Sequence, residues 1–94
     1  MFKDLDQLLH SQLRLAIMSL LISVKVAEFS FLREKTQSSA GNLSVQINKL
    51  ADAGYIQVQK SFRDNYPLTK CKVTSKGVKA FEVYVEALKK YIGD

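Results

Sequence analysis

Asn42, Gln46 and Asn48 lie close together in the stretch "GNLSVQINK" (Gly41–Lys49). Each side-chain amide carries a hydrogen-bond donor beside an acceptor. That is the pattern a side chain needs to pair with the edge of an adenine in a major groove. Ser44 adds a hydroxyl that can donate to a phosphate or a base edge, and Gly41 lets another backbone approach closely. Lys49, with Lys60 further on, can neutralise phosphates, which gives affinity and salt dependence but little sequence information. No acid interrupts the run until Asp52. An ordinary solvated helix face is also polar, so the residue types alone do not decide between solvent and nucleic acid. The elements around them and the distribution of charge do.

The same inventory excludes most other chemistry. His10 is the only histidine and Cys71 the only cysteine. A paired nucleophile and base would have to be assembled around one of them, and there is no glycine-rich phosphate loop. Asp4 and Asp6 lie together but near a terminus. We expect no enzyme, no metal and no cofactor. One Cys and one His cannot close a tetrahedral metal site within a subunit. Cys71, on an expected strand, reads as a small semi-buried hydrophobe. A thiol switch there would require exposure and a low pKa. Phe29, Phe31, Phe62 and Phe81 read as core, whereas Tyr66, near a loop tip, has little core to join.

The 94 residues suit one domain spanning 1–94, with a small core that pairing of two copies would support. Net charge is +5, and the excess is not spread evenly. Residues 1–38 hold five basic and four acidic residues, and residues 75–94 hold four and three. Residues 39–74 hold five and two, so the positive middle third coincides with the amide-rich stretch. The apolar run "LAIMSLLISV" (Leu15–Val24) is too short to span a bilayer. Asp4 and Asp6 precede it where a positive charge would be expected, and no small-residue cleavage site is evident, so it does not read as a signal peptide. The single cysteine fits a reducing compartment, and the expected location is cytoplasmic, without membrane contact.

Periodicity predicts the elements that hold the amides. Leu5, Leu8, Leu9, Leu13, Ile17, Leu20, Leu21 and Val24 recur at helical spacing and predict a helix over about 4–24. "VKVAEF" suits a short extended segment. A short helix follows over 30–36, with Ser30 as its cap and Leu32 inward. "QSS" (Gln37–Ser39) reads as a tight turn in which Ser38 or Ser39 caps the next helix. That helix runs over about 40–53, with Leu43, Ile47 and Leu50 as its apolar stripe. Gly41, Asn42, Val45, Asn48 and Lys49 fall opposite, with Ser44 and Gln46 on the flanks. Gly54 suits a left-handed cap. "YIQVQK" (55–60) and "KCKVT" (70–74) alternate as strands on either side of a loop over 61–69. Ser75 caps a last helix, striped by Val78, Phe81, Val85, Leu88 and Ile92, with Tyr84 and Tyr91 beside them. The fold class is mainly α (α+β): a helix-turn-helix over about 30–53 followed by a β-hairpin wing over about 55–74.

In this order of elements the chain resembles the small winged-helix transcriptional regulators related to the MarR and ArsR families. The carriers are "RLAIMSLL" (Arg14–Leu21), "FSFLRE" (Phe29–Glu34), "GNLSVQINKLADAGYIQVQKSF" (Gly41–Phe62), "PLTKCKVT" (Pro67–Thr74) and "GVKAF" (Gly77–Phe81). The resemblance implies a homodimer that binds double-stranded DNA, each recognition helix in a major groove and each wing over backbone or minor groove. It implies a DNA-binding set of Ser39, Gly41, Asn42, Ser44, Val45, Gln46, Asn48 and Lys49, with Lys60, Arg63 and Asn65 on the wing. Such families usually carry basic residues just before the wing proline. Here "DNYP" (Asp64–Pro67) puts a carboxylate there, which weakens the wing contact or leaves it to Arg63 and Lys60.

The helices over 4–24 and 75–92 carry more apolar surface than so small a core encloses. We therefore expect them to form a two-fold dimer interface through Leu5, Leu8, Leu9, Phe81, Tyr84, Val85 and Leu88. The rival reading is a winged-helix module that binds a protein without reading bases, and Asp64 is the residue that favours it. No small-molecule effector can be read from the chain.

Overall fold

The computed structural model describes Phe2 and residues 4–93. Its elements are α1 (Gln12–Val24), β1 (Val26–Glu28), α2 (Phe29–Thr36), α3 (Ala40–Asp52), β2 (Ile56–Arg63), β3 (Tyr66–Val73) and α4 (Ser75–Tyr91). The three strands form one antiparallel sheet in the order β1-β3-β2. The extended segment expected at "VKVAEF" is thus a paired strand, with Ala27 opposite Cys71. Lys25 adopts a left-handed φ of 74° and turns the chain from α1 into β1, its N–H donating to the Leu21 carbonyl.

The core lies where α1, α2 and α3 meet the sheet. Ile17, Met18 and Leu21 of α1, Leu32 of α2, and Leu43, Ile47 and Leu50 of α3 close over Ala27, Ile56, Cys71 and Val73. Each aliphatic side chain buried in this way stabilises the fold by roughly 1.5–3 kcal/mol. The sheet face away from this core carries Gln57, Gln59, Lys70 and Lys72, as the period-two alternation requires.

Four expectations are corrected. The first helix begins at Gln12, not near residue 4. Asp6 accepts from the Leu8 N–H (2.9 Å), its carbonyl accepts from Leu9 and His10, and Ser11 then caps the helix through Arg14 N–H. These side chain–backbone bonds make a separate turn in which Leu9 is fully buried without being helical. Ser30 is not a cap: α2 starts one residue earlier, at Phe29, and Glu28 precedes it without a side-chain cap bond. The expected loop over 61–69 is mostly strand, because the hairpin closes on two residues only. Asp64 (φ 50°) and Asn65 (φ 67°) both take the left-handed conformation of a type I′ turn, which Asp and Asn tolerate. Pro67 fits in β3 because position 67 lies beyond the last residue paired with β1, Lys70. Finally, Thr74 caps α4, not Ser75.

Thr74 does more than cap. Its hydroxyl accepts from Gly77 N–H (3.0 Å) and donates to the Gly54 carbonyl (2.6 Å), while its N–H donates to the Tyr55 carbonyl (3.1 Å). The start of α4 is thereby fastened to the turn after α3. Gly54 reverses the chain there at φ 82°, as a left-handed glycine can.

Candidate nucleic-acid interface

The site is built outward from the turn between α2 and α3. Thr36 Oγ1 donates to the Leu32 carbonyl (2.7 Å) and lies 2.8 Å from Ser38 Oγ. Gln37 takes a left-handed φ of 53° and reverses the chain. Ser39 stays extended and caps α3, its hydroxyl accepting from Asn42 N–H at 3.1 Å. Leu43, Ile47 and Leu50 then turn inward, which fixes the opposite face outward. Gly41, Asn42, Ser44, Val45, Asn48 and Lys49 are all exposed, and the first turn holds no acid. A β-carbon at Gly41 would meet nothing within 4 Å. Nothing in the chain requires glycine there, although glycine costs a helix roughly 1 kcal/mol relative to alanine.

Gln46 is half-buried and differs from its neighbours. Its Oε1 accepts from Nη1 of Arg14 on α1, and its Nε2 donates to Asn42 Oδ1 at 3.0 Å. Arg14 is held in turn by a bond from Nε to the Leu8 carbonyl. Asn42 and Gln46 are therefore not two independent amides. Sequence reading did not single out Arg14, because its partner lies 32 positions away and no local spacing marks the pair.

The hairpin of β2 and β3 forms the wing. Lys60, Arg63 and Asn65 are exposed on it. Arg63 donates to Glu28 of β1 at 2.9 Å, an ion pair that draws the guanidinium back along the sheet. Asp64 stands at the tip. Tyr66 is 75% exposed, as its place suggested, but Phe62 is 76% exposed and does not belong to the core. Position 62 lies beyond the end of β1, and its side chain is left uncovered. Its strand alternation continues, but the apolar layer does not.

The expected dimer residues divide into two groups. Leu5, Leu8, Phe81 and Leu88 are half-buried and pack on the rim of the core, and Val85 is half-buried. Leu9 (0% exposed) and Tyr84 (4%) lie inside the chain's own core. The Tyr84 hydroxyl lies 3.0 Å from His10 Nδ1, which ties α4 to the segment before α1. These two residues are satisfied within the chain, because the non-helical turn folds back over α4. The large apolar side chains that α4 does expose are Val83 and Tyr91, and Ile92 is exposed just past its end.

Among the described residues, two titratable groups depart from their ordinary behaviour. Tyr55 is pushed up to about 12 by the bond its hydroxyl donates to Asp6, with burial and the carboxylate's charge adding. Burial pushes the Cys71 thiol up to about 11. Cys71 is fully buried, so it has neither the exposure nor the low pKa of a redox switch. Among the described residues no group of His, Cys, Asp and Glu could hold a metal ion, and no helix is long and apolar enough to cross a membrane.

Residues 13–92 match the winged helix DNA-binding domain family. An uncharacterized protein of Methanocaldococcus jannaschii is 33% identical over 79 residues, covering 84% of this chain and 86% of that one. The structure of a transcriptional regulator homologue from Pyrococcus horikoshii superposes with a TM-score of 0.86 at 27% identity, covering 94% and 87% of the two chains. ZitR of Lactococcus lactis, whose structure is a complex with DNA, shares the fold at a TM-score of 0.68 and 15% identity, over 97% of this chain and 62% of that one. The chain belongs to the winged helix DNA-binding domain family, and its fold is that of the transcriptional regulators related to MarR.

Proposed function

We propose that this DNA-binding regulator acts as a homodimer that recognises a specific double-stranded sequence. In this reading α3 enters the major groove, and the wing lies on the backbone or in the minor groove. The observation that carries it is the outward face of α3: exposed amides and a hydroxyl, a lysine, no acid in the first turn, and a glycine that the chain itself does not need. Ser39, Gly41, Asn42, Ser44, Val45, Asn48 and Lys49 would contact DNA directly, and Gln46 would act through Asn42. The free N–H groups at the start of α3 suit a phosphate. The DNA-bound neighbour ZitR supports the partner class. The whole chain, 1–94, would act as one domain.

A second reading has one observation in its favour. The wing tip offers Phe62 and Tyr66 beside Asp64, and its arginine is engaged by Glu28. Such a tip suits a protein partner as well as a phosphate backbone. The test is a titration of a labelled random duplex at rising salt. Regulatory DNA binding predicts retention at low salt and a logarithmic loss of affinity as salt increases. Absence of binding at low salt would favour the protein-binding module.

A further inference from the structure

We propose that Arg14, which lies on α1 and not on the reading helix, sets which base edge α3 recognises, and that this edge is an acceptor edge: guanine or thymine, not adenine. The proposal rests on the reading of α3 as the base-contacting element.

A guanidinium can only donate. Arg14 Nη1 donates to Gln46 Oε1, so the oxygen of Gln46 is committed to α1 and its nitrogen is directed along α3. That nitrogen donates to Asn42 Oδ1 at 3.0 Å. The polarity set by Arg14 is thus relayed one helical turn toward the start of α3. Both amide oxygens already accept a bond. Among the described residues, Asn42 Nδ2 has no partner, so the relay ends in a donor. Adenine asks one amide to donate and accept at once. Asn42 could meet that demand only by accepting a second bond on Oδ1 beside the one from Gln46, and reversing either amide to free that oxygen would point an N–H at an N–H. Adenine sets its N6 donor beside a single acceptor, N7, whereas guanine presents two acceptors, N7 and O6, and thymine presents O4; these suit the free N–H groups of Asn42 better. Arg14 is fixed from its other side by the bond from Nε to the Leu8 carbonyl, so the relay starts from an anchored group.

Gln46→Glu tests the polarity. A carboxylate still accepts from Arg14, but toward Asn42 it can only accept. Asn42 must then donate to it and turn its oxygen outward, toward bases that offer a donor: cytosine N4 or adenine N6. The experiment selects bound sites from random duplexes with the unmodified protein, with Asn42→Ala and with Gln46→Glu, using thermal melting to confirm folding. The position whose preference disappears in Asn42→Ala marks the base that Asn42 reads. We expect guanine or thymine there for the unmodified protein, and a shift to cytosine or adenine in Gln46→Glu, each by about tenfold. Adenine at the marked position in the unmodified protein overturns the proposal. So does a preference that Gln46→Glu leaves unmoved, or sequence selection that Asn42→Ala leaves intact at every position. In those cases α3 can still read bases by other residues. Absence of any sequence preference in the unmodified protein overturns the base-reading function itself, and the proposal with it.

Discussion

At position 77 a β-carbon would lie 2.2 Å from the carbonyl oxygen of Tyr55 and 3.1 Å from Met18 Cε. Backbone cannot yield as a flexible side chain does. Gly77→Ala should therefore destabilise the fold by about 1–3 kcal/mol or more, read as a lower denaturant midpoint; an unchanged midpoint would contradict the packing of α4 on the turn after α3. The same region predicts alkaline sensitivity. Tyr55 and Cys71 are neutral when protonated, and both hold their protons more tightly when folded, at about 12 and about 11. Their contributions are present below the unfolded values of about 10 and about 9 and are lost as pH rises through the folded ones. Stability should thus decline between about pH 9 and pH 12, and Tyr55→Phe should flatten the upper part of that decline. A Tyr55→Phe curve parallel to that of the unmodified protein across this range would show that the Asp6 bond contributes nothing. Thr74 and Gly77, three residues apart, act together at this junction. The threonine joins the cap of α4 to Gly54, and the glycine lets the helix rest on a carbonyl.

Elements set by local rules were legible in the sequence. The stripe of Leu43, Ile47 and Leu50, a cap at Ser38 or Ser39 and the left-handed Gly54 follow from spacing and backbone preference within a few residues, and the structure contains all three, with Ser39 as the cap. What escaped depended on distant partners. Leu5, Leu8 and Leu9 have helical spacing, but Asp6 is engaged by Tyr55, 49 residues away, and the helix begins only after Ser11. Phe62 looked like core because nothing local shows that β1 ends before reaching it. The relay from Arg14 to Asn42 was hidden for the same reason. On the wing, the ion pair of Arg63 with Glu28 leads to a prediction. Glu28→Gln should free the guanidinium, and Asp64→Lys should add a cation at the tip. Each should raise affinity for random duplex at low salt and steepen the salt slope by up to about one unit. If neither variant binds more tightly, the wing lies away from the backbone.

The whole molecule is elongated. Its radius of gyration is 14.1 Å, and it extends 54 × 25 × 21 Å. A compact chain of this length would have a radius of about 12 Å. On α4 and just past its end, Val83 and Ile92 stay exposed, and Phe81, Val85 and Leu88 are covered only in part. A two-fold pair would bury this surface twice over and set two α3 helices about one turn of DNA apart. We expect sedimentation equilibrium to show a dimer at micromolar concentration, and Val85→Glu combined with Leu88→Glu to give a folded monomer. Leu9 and Tyr84 are unsuited to this test, because changing them would damage the chain's own core. A monomer for the unmodified protein would remove the two-half-site arrangement. The central claim is that the outward face of α3 carries sequence recognition. The most direct measurement is the ratio of affinities for a selected site and a scrambled duplex, compared between the unmodified protein and a variant with Asn42, Ser44 and Asn48 all changed to alanine. The ratio should fall at least tenfold toward unity, while affinity for the scrambled duplex changes little. An unchanged ratio in the folded variant would contradict it.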